Sequence, residues 1–195
     1  SDAGSAIGAV LSNYNEHIEF KSPYLGYDIK GKYPVENTLN ALLSSGICGV
    51  ANGRAEYGPR ALGNRSLFAD PRGEHTKDRV NDIKHRQKFR PFAPVVLEEH
   101  AGQLFDGPMG PYMQNTAKCR DTNKYPAIAH VDGTSRVQVV NKKLHTGLYE
   151  LLRRWNSATG CPMLLNTSLN IKGKPMVNDK VDAKEFALKY GVSVY

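Results

Sequence analysis

The stretch Gly53-Arg-Ala-Glu-Tyr-Gly-Pro-Arg-Ala-Leu-Gly-Asn-Arg-Ser66 holds three glycines, one proline and three arginines. Glycines at this density expose backbone N–H groups, and Pro59 can open a helix whose first N–H groups attract anions. Arg60 and Arg65 add fork-shaped donors that match phosphate oxygens in pairs. Taken alone, the same residues also read as a surface turn with solvated arginines.

Charge along the chain sharpens the choice. Between Arg54 and Arg90 there are ten basic and five acidic residues, so this segment carries +5 of a net charge of +7. Within it, Lys84-His-Arg-Gln-Lys-Phe-Arg90 places four cations in seven residues. If that run is extended, Lys84, Arg86, Lys88 and Arg90 share one face. Pro91-Phe92-Ala93-Pro94 follows at once and pins the backbone, which favours a fixed anion site over a solvated basic surface. Further on, His130-Val-Asp-Gly-Thr-Ser-Arg136 presents Arg136 beside hydroxyls, and Asn166-Thr-Ser-Leu-Asn170 offers neutral donors and acceptors at a strand end. Each of these two also reads as ordinary turn chemistry.

The chain has 195 residues, 40% hydrophobic and 23% charged, which suits one domain plus an appendage and is too apolar for wholesale disorder. Cys48, Cys119 and Cys161 show no CxxC or Cys/His spacing, so neither a disulfide framework nor a structural zinc is expected, and a reducing cytoplasm is the natural compartment. No apolar run approaches a membrane span. The six histidines form no HxxxH or HExxH pattern, and no GxxxxGK[ST] or GxSxG occurs. These absences point to anion stabilisation rather than covalent or zinc-dependent chemistry.

Residues 2–11 read as a small-residue helix with Gly4 and Gly8 on one face, expecting a close partner. Residues 21–35 mix Pro, Gly, Lys and Tyr and read as a linker. Val35–Leu43 suits a helix stopped by Gly46, and Ile47–Ala51 a buried strand. Leu67–Ala69 and Val95–Leu97 are further strands, with a polar helix near Glu74–Ile83. Residues 106–125 read as loop. Asp132-Gly133 between two apolar runs, 127–131 and 136–140, signals a hairpin. Leu148, Leu151, Leu152 and Trp155 fall at i, i+3, i+4 and i+7, giving an amphipathic helix stopped by Gly160. Met163–Leu165 is a strand, and Ala183, Phe186, Ala187 and Tyr190 define a last helix with Asn178 as its N-cap. The sum is an α+β domain with a mixed sheet.

Together, GRAEYGPRALGNRSLFADPR, KHRQKFRPFAP, HVDGTSRVQVV and CPMLLNTSLNIKGKPMV, in this order, closely resemble the C-terminal domain of the O-carbamoyltransferases of nodulation-factor and antibiotic-tailoring type. The spacings Lys84-His85-Arg86 and Ser168-Leu169-Asn170 are similar to the Lys-x-Arg and Ser-x-Asn pairs of YrdC-like proteins. The resemblance implies a YrdC-like fold over residues 36–195, a twisted mixed sheet with helices around an open basic cavity. It also implies binding of ATP and carbamoyl phosphate, with Mg²⁺ accompanying the ATP, and formation of carbamoyl-adenylate. Carried over residue by residue, it gives Lys84, Arg90 and Arg136 a catalytic role, and makes Arg60, Arg65, Arg86, Asn166, Ser168 and Asn170 substrate- and nucleotide-binding. Residues 1–20 resemble the last helix of an upstream actin-like transfer domain. There Asp2 would ligate a metal only together with histidines that lie outside this sequence. The alternative is a basic YrdC-like module for RNA, disfavoured because aromatics suited to base stacking are not interleaved with the cations.

Overall fold

The computed structural model describes residues 4–14 and 22–195. Asp2 lies outside them. In chain order the elements begin with helix α1 (Ser5–Leu11), strand β1 (Asp28–Ile29), helix α2 (Val35–Ser45) and strands β2 (Ile47–Ala51), β3 (Gly53–Arg54) and β4 (Arg65–Ala69). Helix α3 (Glu74–Lys84), β5 (Ala93–Leu97), α4 (Glu98–Leu104), β6 (Phe105–Asp106), β7 (Ala117–Cys119), β8 (Thr134–Ser135) and β9 (Gln138–Val140) follow. The chain closes with α5 (Thr146–Thr159), β10 (Met163–Ser168) and α6 (Lys180–Tyr190).

The main sheet has the order β2-β4-β10-β5-β9, antiparallel except for the parallel β5–β9 pair. Every residue of β2, β4 and β5 is buried, as the continuous apolar runs of a sheet covered on both faces require. Helix α5 packs on β5 and β10 and against α2, while α6 packs beside β2. Leu148, Leu151, Leu152 and Trp155 of α5 are all buried, each worth about 1.5–3 kcal/mol of removed apolar surface. The Trp155 indole N–H donates to the Met163 carbonyl, 3.1 Å away, so its polar end is satisfied too. The sheet and its helices make up an α+β architecture around the open cleft described below.

Helix ends follow the expected chemistry. Gly46, Gly160 and Gly191 each take the left-handed conformation that closes α2, α5 and α6. The N-cap of α6 is Asp179, whose Oδ1 accepts from Val181 and Asp182 N–H, and not Asn178. A carboxylate suits the positive end of the helix better than an amide.

Five other expectations are corrected. Residues 28–29 of the expected linker form β1, paired with β3. The expected loop 106–125 contains β7, which joins β6 and β8 in a three-stranded sheet. The Asp132-Gly133 turn exists, with Gly133 at φ 78°, but no hairpin forms: β8 pairs with β7, and β9 runs parallel to β5. Alternation over 136–140 marks a strand without naming its partner. Finally, Pro59 opens no helix, and residues 84–90 are not extended. Lys84 ends α3, His85 turns left-handed at φ 47°, and Arg90 N–H donates to the Gln87 carbonyl in a turn.

Candidate functional site

The segments singled out by charge converge on one cleft of about 310 Å³. Pro59 and Arg60 come from the loop between β3 and β4, and Arg86 and Arg90 from the turn after α3. Arg136 comes from just before β9, and Asn166, Thr167 and Ser168 from the end of β10. Four guanidiniums therefore face one cavity, and among the described residues no carboxylate lines it. Burial, with Arg90 and Arg136 close by, holds the Arg86 guanidinium below its ordinary range. Its charge is partly answered by the Phe92 ring, 5.1 Å from the guanidinium carbon. Such crowding of cations disfavours their charged forms unless nearby negative charge answers it.

Lys84 sits behind this wall, 6% exposed. Its ammonium donates to the Ser168 carbonyl at 2.6 Å and Oγ at 3.3 Å, and to both the carbonyl and Oδ1 of Asn170. Burial, and secondarily Arg86, pulls its pKa down to about 7. Ser168 Oγ in turn donates to Asn170 Oδ1 at 2.9 Å. The two spaced pairs, Lys84-x-Arg86 and Ser168-x-Asn170, thus meet across the space between α3 and β10.

The loop carrying Arg60 is built around a buried carboxylate. Glu56 Oε1 accepts from the backbone N–H groups of Leu62 at 2.7 Å, Asn64 at 2.8 Å and Arg65 at 3.2 Å. Burial pushes the Glu56 carboxyl up from its ordinary range, against the pull of those three donors. From outside, the Tyr24 hydroxyl donates to the Leu62 carbonyl at 3.0 Å and the Tyr33 hydroxyl to the Gly63 carbonyl at 2.9 Å. His145 stacks edge-on against both tyrosines and meets Asn64 Oδ1 at 2.8 Å through Nε2, while its Nδ1 caps α5 by accepting from Leu148. Burial holds this imidazole down to about 4, so it is neutral at physiological pH.

Of the residues proposed from sequence, Arg60, Arg86, Arg90, Arg136, Asn166 and Ser168 line the cleft, with Lys84 and Asn170 adjoining it through Ser168. Arg65 does not join them. It is fully buried, and its guanidinium donates to the carbonyls of Asn52, Gly53, Asn64, Tyr27 and Asn178 at 2.9–3.1 Å. Its fork is spent on tying β1, the β3–β4 loop and the start of α6 together. Lys88 also turns away, lying 3.7 Å from Asp78 on the surface.

Gln138 and Glu56 were missed. Gln138 is 2% exposed and holds Asn166 in place, and the only sequence trace of it is its inward phase in β9. Among the described residues no group of three or more His, Cys, Asp or Glu could hold a metal ion. Nor is any described helix long and apolar enough to cross a membrane.

The family described as Carbamoyltransferase C-terminus matches residues 39–195. Nodulation protein NolO of Bradyrhizobium diazoefficiens is 36% identical over 215 residues, covering 93% of this chain and 39% of NolO. The 3'-hydroxymethylcephem-O-carbamoyltransferase of Amycolatopsis lactamdurans is 34% identical over 211 residues, covering 99% of this chain and 40% of that enzyme. The chain thus spans about two-fifths of the length of these relatives. Among solved structures, full-length HypF in its phosphate- and nucleotide-bound form matches with a TM-score of 0.56 at 14% identity, over 85% of this chain and 21% of HypF. T. kodakarensis HypF matches with a TM-score of 0.51 at 19% identity, over 84% of this chain and 20% of its own. At such identities the likeness is one of fold.

Proposed function

Because this chain belongs to the family of carbamoyltransferase C-terminal domains, we propose that its arginine-lined cleft binds carbamoyl phosphate and ATP and makes carbamoyl-adenylate. The observation that carries this reading is the convergence of Arg60, Arg86, Arg90 and Arg136 on one cavity. A triphosphate bound beside an acyl monophosphate demands such a concentration of fixed positive charge, and a guanidinium answers phosphate oxygens in pairs.

In this scheme water cleaves carbamoyl phosphate to carbamate and inorganic phosphate. A carbamate oxygen then forms a bond to the α-phosphorus of ATP as the bond to pyrophosphate breaks. The four arginines stabilise charge on the phosphoryl oxygens and on the leaving pyrophosphate, so the protein contributes positioning and electrostatics rather than a covalent intermediate. Lys84, about half protonated at pH 7, becomes fully protonated as anionic phosphate nears Ser168 and holds that strand end in place. Passing the carbamoyl group to an acceptor hydroxyl belongs, in this reading, to the part of the relatives that this chain does not span.

Calorimetric titration with freshly prepared carbamoyl phosphate and with ATP tests the proposal, together with pyrophosphate release when both are present. Arg90→Ala, at an exposed position, is expected to weaken binding by roughly 10- to 100-fold, from the loss of one charge-assisted contact. Its melting temperature should stay within a degree or two of wild type. Absence of ligand heat in the wild-type chain, or unchanged affinity in Arg90→Ala, would overturn the reading.

A further inference from the structure

Asn166 and Gln138 are polar side chains almost wholly removed from water, at 1% and 2% exposure. Their amide orientations are fixed by partners that can only accept. Asn166 Nδ2 donates to the Ala61 carbonyl at 3.0 Å and to Gln138 Oε1 at 2.8 Å. Gln138 Nε2 donates to the Leu62 carbonyl at 3.0 Å. Flipping either amide would set oxygen against carbonyl oxygen, so the backbone of the Arg60 loop dictates which atom of each amide faces which way. One atom is left over. Asn166 Oδ1 is buried and has no donor among the described residues, although Asn166 lines the cleft.

A buried acceptor without a partner costs about 1–3 kcal/mol, and the deficit is made good only by something that brings an N–H or O–H. Phosphate and ionised carboxylate oxygens are acceptors and cannot do so. They suit the arginines of the same cavity and conflict with Asn166 Oδ1. The cleft therefore pairs a region that reads negative charge with one fixed point that reads a donor. We propose that Asn166 Oδ1 accepts an N–H from the amide of the carbamoyl group, and that Gln138 is the positioning residue that holds it there. The inference rests on the carbamoyl phosphate reading above and deepens it: the site selects the amino-bearing acyl phosphate over its methyl analogue, acetyl phosphate, which has the same shape and no donor.

The test compares carbamoyl phosphate, acetyl phosphate and inorganic phosphate by calorimetry on the full chain. Wild type is expected to prefer carbamoyl phosphate over acetyl phosphate by about tenfold. Gln138→Met keeps the volume but loses the grip on Asn166. It should bring that ratio close to one by weakening carbamoyl phosphate alone, leaving the other two ligands within about twofold of wild type. Asn166→Ala should likewise remove the preference. The ratio between two ligands is insensitive to a general loss of folded protein, so a destabilised variant remains informative, and the wild-type ratio needs no variant at all. Equal binding of the two acyl phosphates by wild type overturns this inference while leaving the carbamoyl phosphate reading standing. An unchanged ratio in Gln138→Met overturns the role of Gln138. If none of the three phosphates binds, the reading beneath the inference fails as well.

Discussion

Arg65 and Arg90 carry the same side chain in opposite circumstances. Arg65 is sealed from solvent with five carbonyl oxygens around its guanidinium, whereas Arg90 is exposed at the cleft. Replacing Arg65 with Met takes a donor from each of those carbonyls, of which those of Tyr27 and Asn64 keep a backbone N–H, and a loss of about 3–5 kcal/mol is expected in urea unfolding. Arg65→Lys should recover little, because three rotatable donors cannot reproduce a planar fork. Lys84 gives a different signature. Its pKa in the folded chain is about 7 against an ordinary 10.5, so between those values the unfolded chain holds a proton that the folded one has released. Stability attributable to this group therefore rises as pH goes from about 7 towards 10.5, and is flat below 7. Urea midpoints at pH 7 and pH 9.5 should show a gain in wild type that is absent from Lys84→Arg, which stays charged throughout.

At the scale of elements, the β3–β4 loop is held in shape from three directions, by Glu56 within, by Tyr24 and Tyr33 from the segment before α2, and by His145 at the head of α5. Gly63 shows how tight this is. At φ 127°, an added Cβ would lie 2.8 Å from Leu148 Cδ2 and 3.0 Å from His145 Nε2. Gly173, also at positive φ, has open space around it. Gly63→Ala should therefore cost clearly more than the ~1–2 kcal/mol of backbone strain expected for Gly173→Ala, and should also weaken phosphate binding by displacing Arg60. Paired thermal melts and phosphate titrations of the two variants check this. Such residues also mark how far the sequence could be read. Arginines in Gly- and Pro-fixed turns advertise an anion site because their chemistry is local, and helices α2 and α5 were legible from 3.6-residue periodicity and terminal glycines. The contacts of Arg65 with Tyr27 and Asn178, the clasp of Tyr24 and Tyr33, and the role of Gln138 depend on partners 28 to 113 residues away, and local pattern holds no record of them. The same reason explains the false hairpin at 127–140: a turn signal was present, but the pairing partner of β9 was β5.

For the whole molecule, four arginines gather in a concave cleft set beside a sheet whose strands β2, β4 and β5 are fully buried. If the proposed anionic ligands answer that cluster of cations, they should stabilise the fold globally. At a ligand concentration 100 times Kd the gain is about 2.7 kcal/mol, which for a chain of this size corresponds to a rise of about 5–11 °C in melting temperature. Scanning calorimetry with ATP and carbamoyl phosphate, against chloride at matched ionic strength, checks it; an equal effect from chloride would mean simple screening.

The sheet order also bears on how the chain is made. The strand at its centre, β10, is the last to be synthesised, yet it separates β4 from β5 and pairs with both. Until residue 168 has left the ribosome, two apolar strands stand with open edges, and the cleft lacks its floor of Asn166 and Ser168. A nascent chain stalled before β10 is thus expected to be prone to association and to lack two of the residues that line the cleft.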